Sequence, residues 1–172
     1  MEAENKNYKI ILLVDDDPRD VELTLAALSE HHLANRIAVA CDGAEALDYL
    51  FYRGKYQMRA HGDPAVVLLD NKMPKVSGLE VLKVMKADAR LKLIPVVILT
   101  SSREQRDMVE FYKHHASAYV VKPVDFNEFM QAVKQIGVFW VKVNEPPPFS
   151  GEEEIFLQDR EAASPVTEEV AP

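Results

Sequence analysis

With a single cysteine, Cys41, a chain of 172 residues can form no internal disulfide. The stretch from Met1 to Lys9 is polar and lacks the apolar core of a signal peptide. Long hydrophobic runs are missing too. The longest are Ile10–Val14, Val66–Leu69 and Val96–Leu99, whereas a membrane-spanning helix needs about 20 apolar residues. Together these absences lead us to expect a cytoplasmic protein. Basic charge is also short: the formal net charge is −8, and from Glu145 to Pro172 eight acids stand against one base, Arg160. Such a tail repels phosphates, so neither nucleic acid nor an anionic membrane is expected as a partner.

The apolar residues alternate between short runs and amphipathic stretches. Lys9–Val14 reads as a strand that breaks at Asp15–Pro18. Asp17 suits a helix cap and Pro18 a first helical turn. Val21, Leu25 and Leu28 then recur at helical spacing up to His31-His32. Arg36–Ala40 is a second strand, and Asp42-Gly43 turns the chain into a helix over Ala44–Tyr52, with Ala46, Leu47 and Leu50 inward. After a loop to Asp63, Ala65–Asp70 is apolar until its last residue, the pattern of a strand buried on both faces. Gly78–Ala87 is a helix with Leu79, Leu82, Val84 and Met85 on its apolar side. Val96–Thr100 is the fourth strand, Glu104–His114 a helix, and Ala118–Val121 the fifth strand. Asp125 caps a last helix reaching about Val143, and Pro146-Pro147-Pro148 stops it.

The chain therefore divides into an extension over 1–8, one domain over 9–143, and a proline-rich acidic tail over 144–172 with no effector domain. Strict alternation of five strands with helices predicts an α/β fold. Its core is a doubly wound parallel sheet of order 2-1-3-4-5, flavodoxin-like, with helices on both faces. In such sheets ligands bind beyond the carboxyl ends of the strands, where the strand order switches.

That rule gathers four strand ends. Asp15, Asp16 and Asp17 follow strand one, and strands three, four and five end in Asp70, Thr100 and Lys122. Singly, each has a plain explanation: helix cap, turn residue or solvated charge. Together, carboxylates facing one another in a cleft repel and need a counter-charge. All-oxygen ligation favours magnesium, manganese or calcium over zinc. With such an ion bound, one carboxylate can attack phosphorus to give an aspartyl-phosphate. Asp70, between the acids and the Thr100–Lys122 pair, is the best nucleophile, leaving Asp15 and Asp16 for the metal. Thr100 and Lys122 would meet the phosphoryl oxygens.

The strings Ile10–Pro18, Leu68–Pro74 with Gly78, Val96–Thr100 and Tyr119–Pro123 resemble the receiver domain of two-component response regulators. The resemblance spans the strand ends from about Lys9 to Val143. It implies Asp70 as phosphoacceptor and Asp15 and Asp16 as acids of a Mg2+ (or Mn2+) site completed by the backbone carbonyl of Lys72. It also implies a switch pair, Thr100 and Tyr119, Lys122 as the phosphate-binding lysine, and a sensor histidine kinase as donor. The stretch Ala46–Tyr56 and the ending Val138-Phe139-Trp140 resemble, more narrowly, single-domain regulators paired with phytochrome photoreceptor kinases. Against that pattern, Asp17 replaces a frequent Asn, and His115 replaces a frequent glycine, which would strain a left-handed backbone there.

Two rivals fit less well. A haloacid-dehalogenase-like phosphatase or phosphotransferase needs Asp-x-Asp followed by Thr or Val, whereas Asp17 precedes Pro18. A flavodoxin-like flavin protein needs a Gly/Ser/Thr-rich phosphate loop where this chain has three aspartates. His31-His32 and His114-His115 read as solvated helix ends, and Cys41 as a small apolar filler. The run Ile136 to Val143 is apolar nearly all round, more than one stripe against its own domain requires. A homodimer through Phe139, Trp140 and Val143 is therefore expected, with Phe149 and Ile155–Leu157 as an arm.

Overall fold

The computed structural model describes residues 9–29 and 37–147. Five strands, β1 (Ile11–Val14), β2 (Ile37–Ala40), β3 (Val66–Leu69), β4 (Val96–Thr100) and β5 (Ala118–Val121), form one parallel sheet of order β2-β1-β3-β4-β5. The helices are α1 (Pro18–Ser29), α2 (Gly43–Leu50), α3 (Gly78–Ala87), α4 (Gln105–Lys113) and α5 (Phe126–Val138). Fold class and strand order are as expected. His31-His32, Arg36, Pro148, Phe149 and Ile155–Leu157 lie outside the described residues.

The period-two alternation of the strands builds two cores. Leu12, Val14, Val67, Leu69, Val96 and Ile98 face α2, α3 and α4, meeting Leu50, Leu82, Met85 and Phe111. Ile11, Leu13, Val66, Leu68, Val97 and Leu99 face α1 and α5, meeting Leu28, Phe129 and Val133. Every residue of β1, β3 and β4 is buried, which explains their unbroken apolar runs. Truncating one of these leucines to alanine is expected to cost about 2–5 kcal/mol.

Local chemistry starts the helices as read. Asp17 accepts from Arg19 N–H at 2.9 Å, and Asp125 from Glu128 N–H at 2.9 Å. Some details differ. Val84 is exposed, and Val81 takes the inward position on α3. Tyr49 joins the core side of α2. Cys41 is exposed rather than a core filler, because β2 ends before it. His115 adopts φ +64°, the left-handed conformation anticipated for it.

The last helix also departs from a simple α pattern. After Val138 it opens into a wider π turn over Phe139–Val143, with Asn144 N–H donating to Phe139 O at 2.7 Å. A continuous α-helix would place Trp140 inward, seven residues after Val133. The wider turn delays that position by one, so Val141 is buried and Trp140 packs at the margin of the core. Phe139 and Val143 are exposed.

Candidate functional site

The parallel register sets strand ends side by side: Val14 pairs with Leu69 between β1 and β3, and Asp70 N–H donates to Val14 O at 2.9 Å. The residues that follow, Asp15 and Asp70, thus flank each other at the sheet edge, both buried. Asp16 is exposed beside them. One carboxylate oxygen from each of Asp15, Asp16 and Asp70 lies within 4.8 Å of the other two. Gly78 makes room for this arrangement. A Cβ there would stand 2.1 Å from Asp70 O, so α3 can start against the loop after β3 only with glycine.

Lys122, at the end of β5, reaches across to the acids. Its Nζ lies 2.7 Å from Asp15 Oδ2, 2.6 Å from Asp20 Oδ2 and 3.4 Å from Asp70 Oδ1. Burial opposes its charge, but the hydrogen bonds to Asp15 and Asp20 and the charges of Asp70 and Asp15 hold its pKa above the usual lysine value. Burial pushes the Asp70 carboxyl above the ordinary carboxylate range, only partly offset by Lys122 and the backbone N–H groups of Lys72 and Asn71. Asp15 is raised by burial as well, against its hydrogen bonds to Lys122 and to Asp17 N–H. Three carboxylates therefore share one ammonium, with Asp16 beside them. This is a set of hard oxygen donors with a charge deficit that a divalent cation fits.

Lys72 meets Asp70 through its backbone N–H, which donates to Oδ2 at 3.0 Å, while its side chain is exposed. Thr100 is buried, and its carbonyl accepts from Lys122 N–H at 2.7 Å. Tyr119 contacts Phe111 and Ser102. Its ring packs on Phe111 with centroids 5.7 Å apart, and its hydroxyl donates to Ser102 O at 3.2 Å. Ser102 N–H in turn donates to Thr100 Oγ1 at 3.2 Å.

Sequence reasoning missed Asp20 and Ser102. Asp20 sits on the first turn of α1, just past the acidic run, and that placement was its only signal. Ser102 stands two residues beyond Thr100 in a loop, and nothing in its neighbours marks it. Phe139, Trp140 and Val143 lie on the end of α5 and the π turn, apart from this edge. Phe139 and Trp140 pack edge to face at 5.0 Å.

Residues 11–134 match the response regulator receiver domain, a family of signalling regulators rather than classical enzymes. The chain is similar to the bacteriophytochrome response regulator AtBRR, at 58% identity and a TM-score of 0.64, over 80% of this chain and 98% of that one. It is similar to the phosphorylated cyanobacterial phytochrome response regulator RcpA, at 35% identity and a TM-score of 0.76, over 81% and 99%. Response regulator Rcp1 of Synechocystis sp. is 32% identical over 142 residues, 83% of this chain and 95% of that protein. The Mn(2+)-bound form of Rcp1 superposes at 32% identity with a TM-score of 0.75, over 81% and 99%. No described helix is long and apolar enough to cross a membrane.

Proposed function

The chain belongs to the response regulator receiver domain family, and on that premise we propose that it accepts a phosphoryl group on Asp70 from a sensor histidine kinase. The observation that carries this reading is the cluster of Asp15, Asp16 and Asp70 with Lys122 reaching into it. A carboxylate oxygen of Asp70 attacks phosphorus, and the bond to the donor imidazole nitrogen breaks, so the imidazole departs with the electron pair. Lys122 supplies positive charge beside the transferred group, and Thr100 a hydroxyl donor. Asp15, Asp16, Asp70 and the Lys72 carbonyl would hold Mg2+ or Mn2+. Such an ion offsets phosphoryl charge when bound. Similarity to a Mn(2+)-bound regulator supports a divalent ion.

The relatives' association with phytochromes supports a photoreceptor kinase as the donor. Phosphorylation would be relayed by Thr100 and Tyr119 to the surface of α4, β5 and α5, and output would be protein–protein contact from a receiver over 9–143. The exposed Phe139 and Val143, with Trp140 beside them, support a homodimer through α5. The test of the central reading is labelling by acetyl phosphate with magnesium. Asp70→Asn is expected to abolish it with the fold intact, and labelling at the parent's stoichiometry would overturn the assignment. Sedimentation of the parent, of Trp140→Ala and of a chain cut after Val143 tests the dimer. A monomeric parent at tens of micromolar would overturn a constitutive one.

A further inference from the structure

We propose that Asp107, on the first turn of α4, is a positioning residue that latches the loop joining the two switch side chains; the inference rests on the phosphoacceptor reading above. That loop hangs on Ser102, which is buried. Its N–H donates to Thr100 Oγ1 at 3.2 Å and its carbonyl accepts from the Tyr119 hydroxyl at 3.2 Å. Its hydroxyl donates to Asp107 Oδ2 at 2.7 Å and accepts from Glu104 N–H at 3.4 Å. The same Asp107 oxygen takes the Asn71 side-chain amide at 3.4 Å. Asn71 directly follows Asp70. One carboxylate thus ties the loop after β3 to the loop after β4 and, through Ser102, reaches both Thr100 and Tyr119.

The lengths rank these contacts. A hydroxyl 2.7 Å from a carboxylate is a charge-assisted bond, stronger than the neutral contacts at 3.2–3.4 Å around it. For Thr100 to turn toward a phosphoryl group on Asp70, its oxygen must leave Ser102 N–H or draw Ser102 along. Movement of Ser102 withdraws the acceptor that holds the Tyr119 hydroxyl. The bond between Asp107 and Ser102 resists that movement, so it biases the resting arrangement and sets how far phosphorylation shifts the pair.

The experiment uses the full chain with magnesium and beryllofluoride, a phosphoryl mimic, and compares Asp107→Ala, Ser102→Ala, their double variant and Asp107→Asn. Each single alanine variant is expected to bind beryllofluoride about tenfold more tightly, the scale of one hydrogen bond to a charged group. The double variant is expected to gain no more than either single, because both remove one interaction. Asp107→Asn keeps an acceptor for Ser102 and is expected to stay near the parent. In the free protein, amide exchange across residues 101–104 is expected to speed up in both single alanine variants. If Asp107 acted only as a charge repelling the anion, Asp107→Asn would match Asp107→Ala and Ser102→Ala would bind like the parent; that result overturns the latch. Unchanged amide exchange in both variants overturns it too, whatever the binding. Faster exchange with a parent that binds no beryllofluoride supports the tether and overturns the phosphoacceptor reading instead.

Discussion

Two partly enclosed aspartates bracket β3, Asp63 before it and Asp70 after it, and their company differs. Burial raises both carboxyls above the ordinary carboxylate range. Asp63 pairs with Arg90, whose other nitrogen donates to Leu50 O at 2.7 Å. Around it Arg59 is stacked between Tyr49 and Tyr52, 4.0 and 3.9 Å from their ring centroids, and its Nε donates to Tyr49 O at 2.9 Å. At that end of the sheet the carboxylate has its own guanidinium partner, and a second guanidinium is held by aromatic faces. Asp70 instead shares Lys122 with Asp15 and Asp20, and Asp16 adds another carboxylate nearby. The first end is arranged for stability. The second keeps a surplus of negative charge that a proton or a bound cation would offset.

Substitutions at the two ends sharpen this contrast. The largest effect is expected for Asp16→Ala, which leaves the oxygen cluster short of one ligand. Magnesium affinity, followed by titration calorimetry, should fall about 10–100-fold or more, since even outer partners of metal ligands have effects of that size. Undiminished binding would show that the cluster is not the metal site. At the other end, Arg90→Ala leaves the half-buried Asp63 carboxylate without its counter-charge and Leu50 O without a donor. Partial exposure of the pair tempers the loss, which should be about 2 kcal/mol, a fall in Tm of about 6 °C by calorimetry.

Asp70→Asn should act in the opposite direction. Lys122 keeps Asp15 and Asp20 as partners, and a buried, repelled carboxylate is replaced by a neutral amide. Tm should rise by about 2 °C at neutral pH without magnesium. The sign follows from linkage. A carboxyl whose folded pKa lies above its unfolded value contributes stability at low pH and loses it as pH rises through the raised value. The gain from Asp70→Asn should therefore vanish in acid, where the parent is protonated. A Tm lowered at neutral pH would contradict the picture of an edge held against its own charge.

Much of this contrast was legible in the sequence at one end and little at the other. Asp15, Asp70, Thr100 and Lys122 each terminate or follow a strand, and parallel register carries consecutive strand ends to one edge, so order along the chain was enough. Asp17 and Asp125 were readable because caps are local. Asp20 and Ser102 were not, because their roles depend on which side chains reach across the fold: Lys122 from β5 in one case, Tyr119 and Asp107 in the other. The stacking of Arg59 on Tyr49 and Tyr52 left no periodic trace either. Val84 was misplaced because five apolar residues on a short helix, Leu79, Val81, Leu82, Val84 and Met85, leave its inward stripe ambiguous by one position. The burial of Val141 in place of Trp140 depends on a π turn that composition does not announce.

The most direct test of the phosphoacceptor assignment is chemical mapping of the modified residue. The full chain is incubated with acetyl phosphate and magnesium, then reduced with borohydride, which converts an aspartyl-phosphate to homoserine, and its peptides are sequenced by mass spectrometry. Homoserine at position 70 alone, absent when magnesium is chelated, is the expected result. Homoserine at position 15 or 16, or a phosphoryl group retained on a histidine instead, would contradict it.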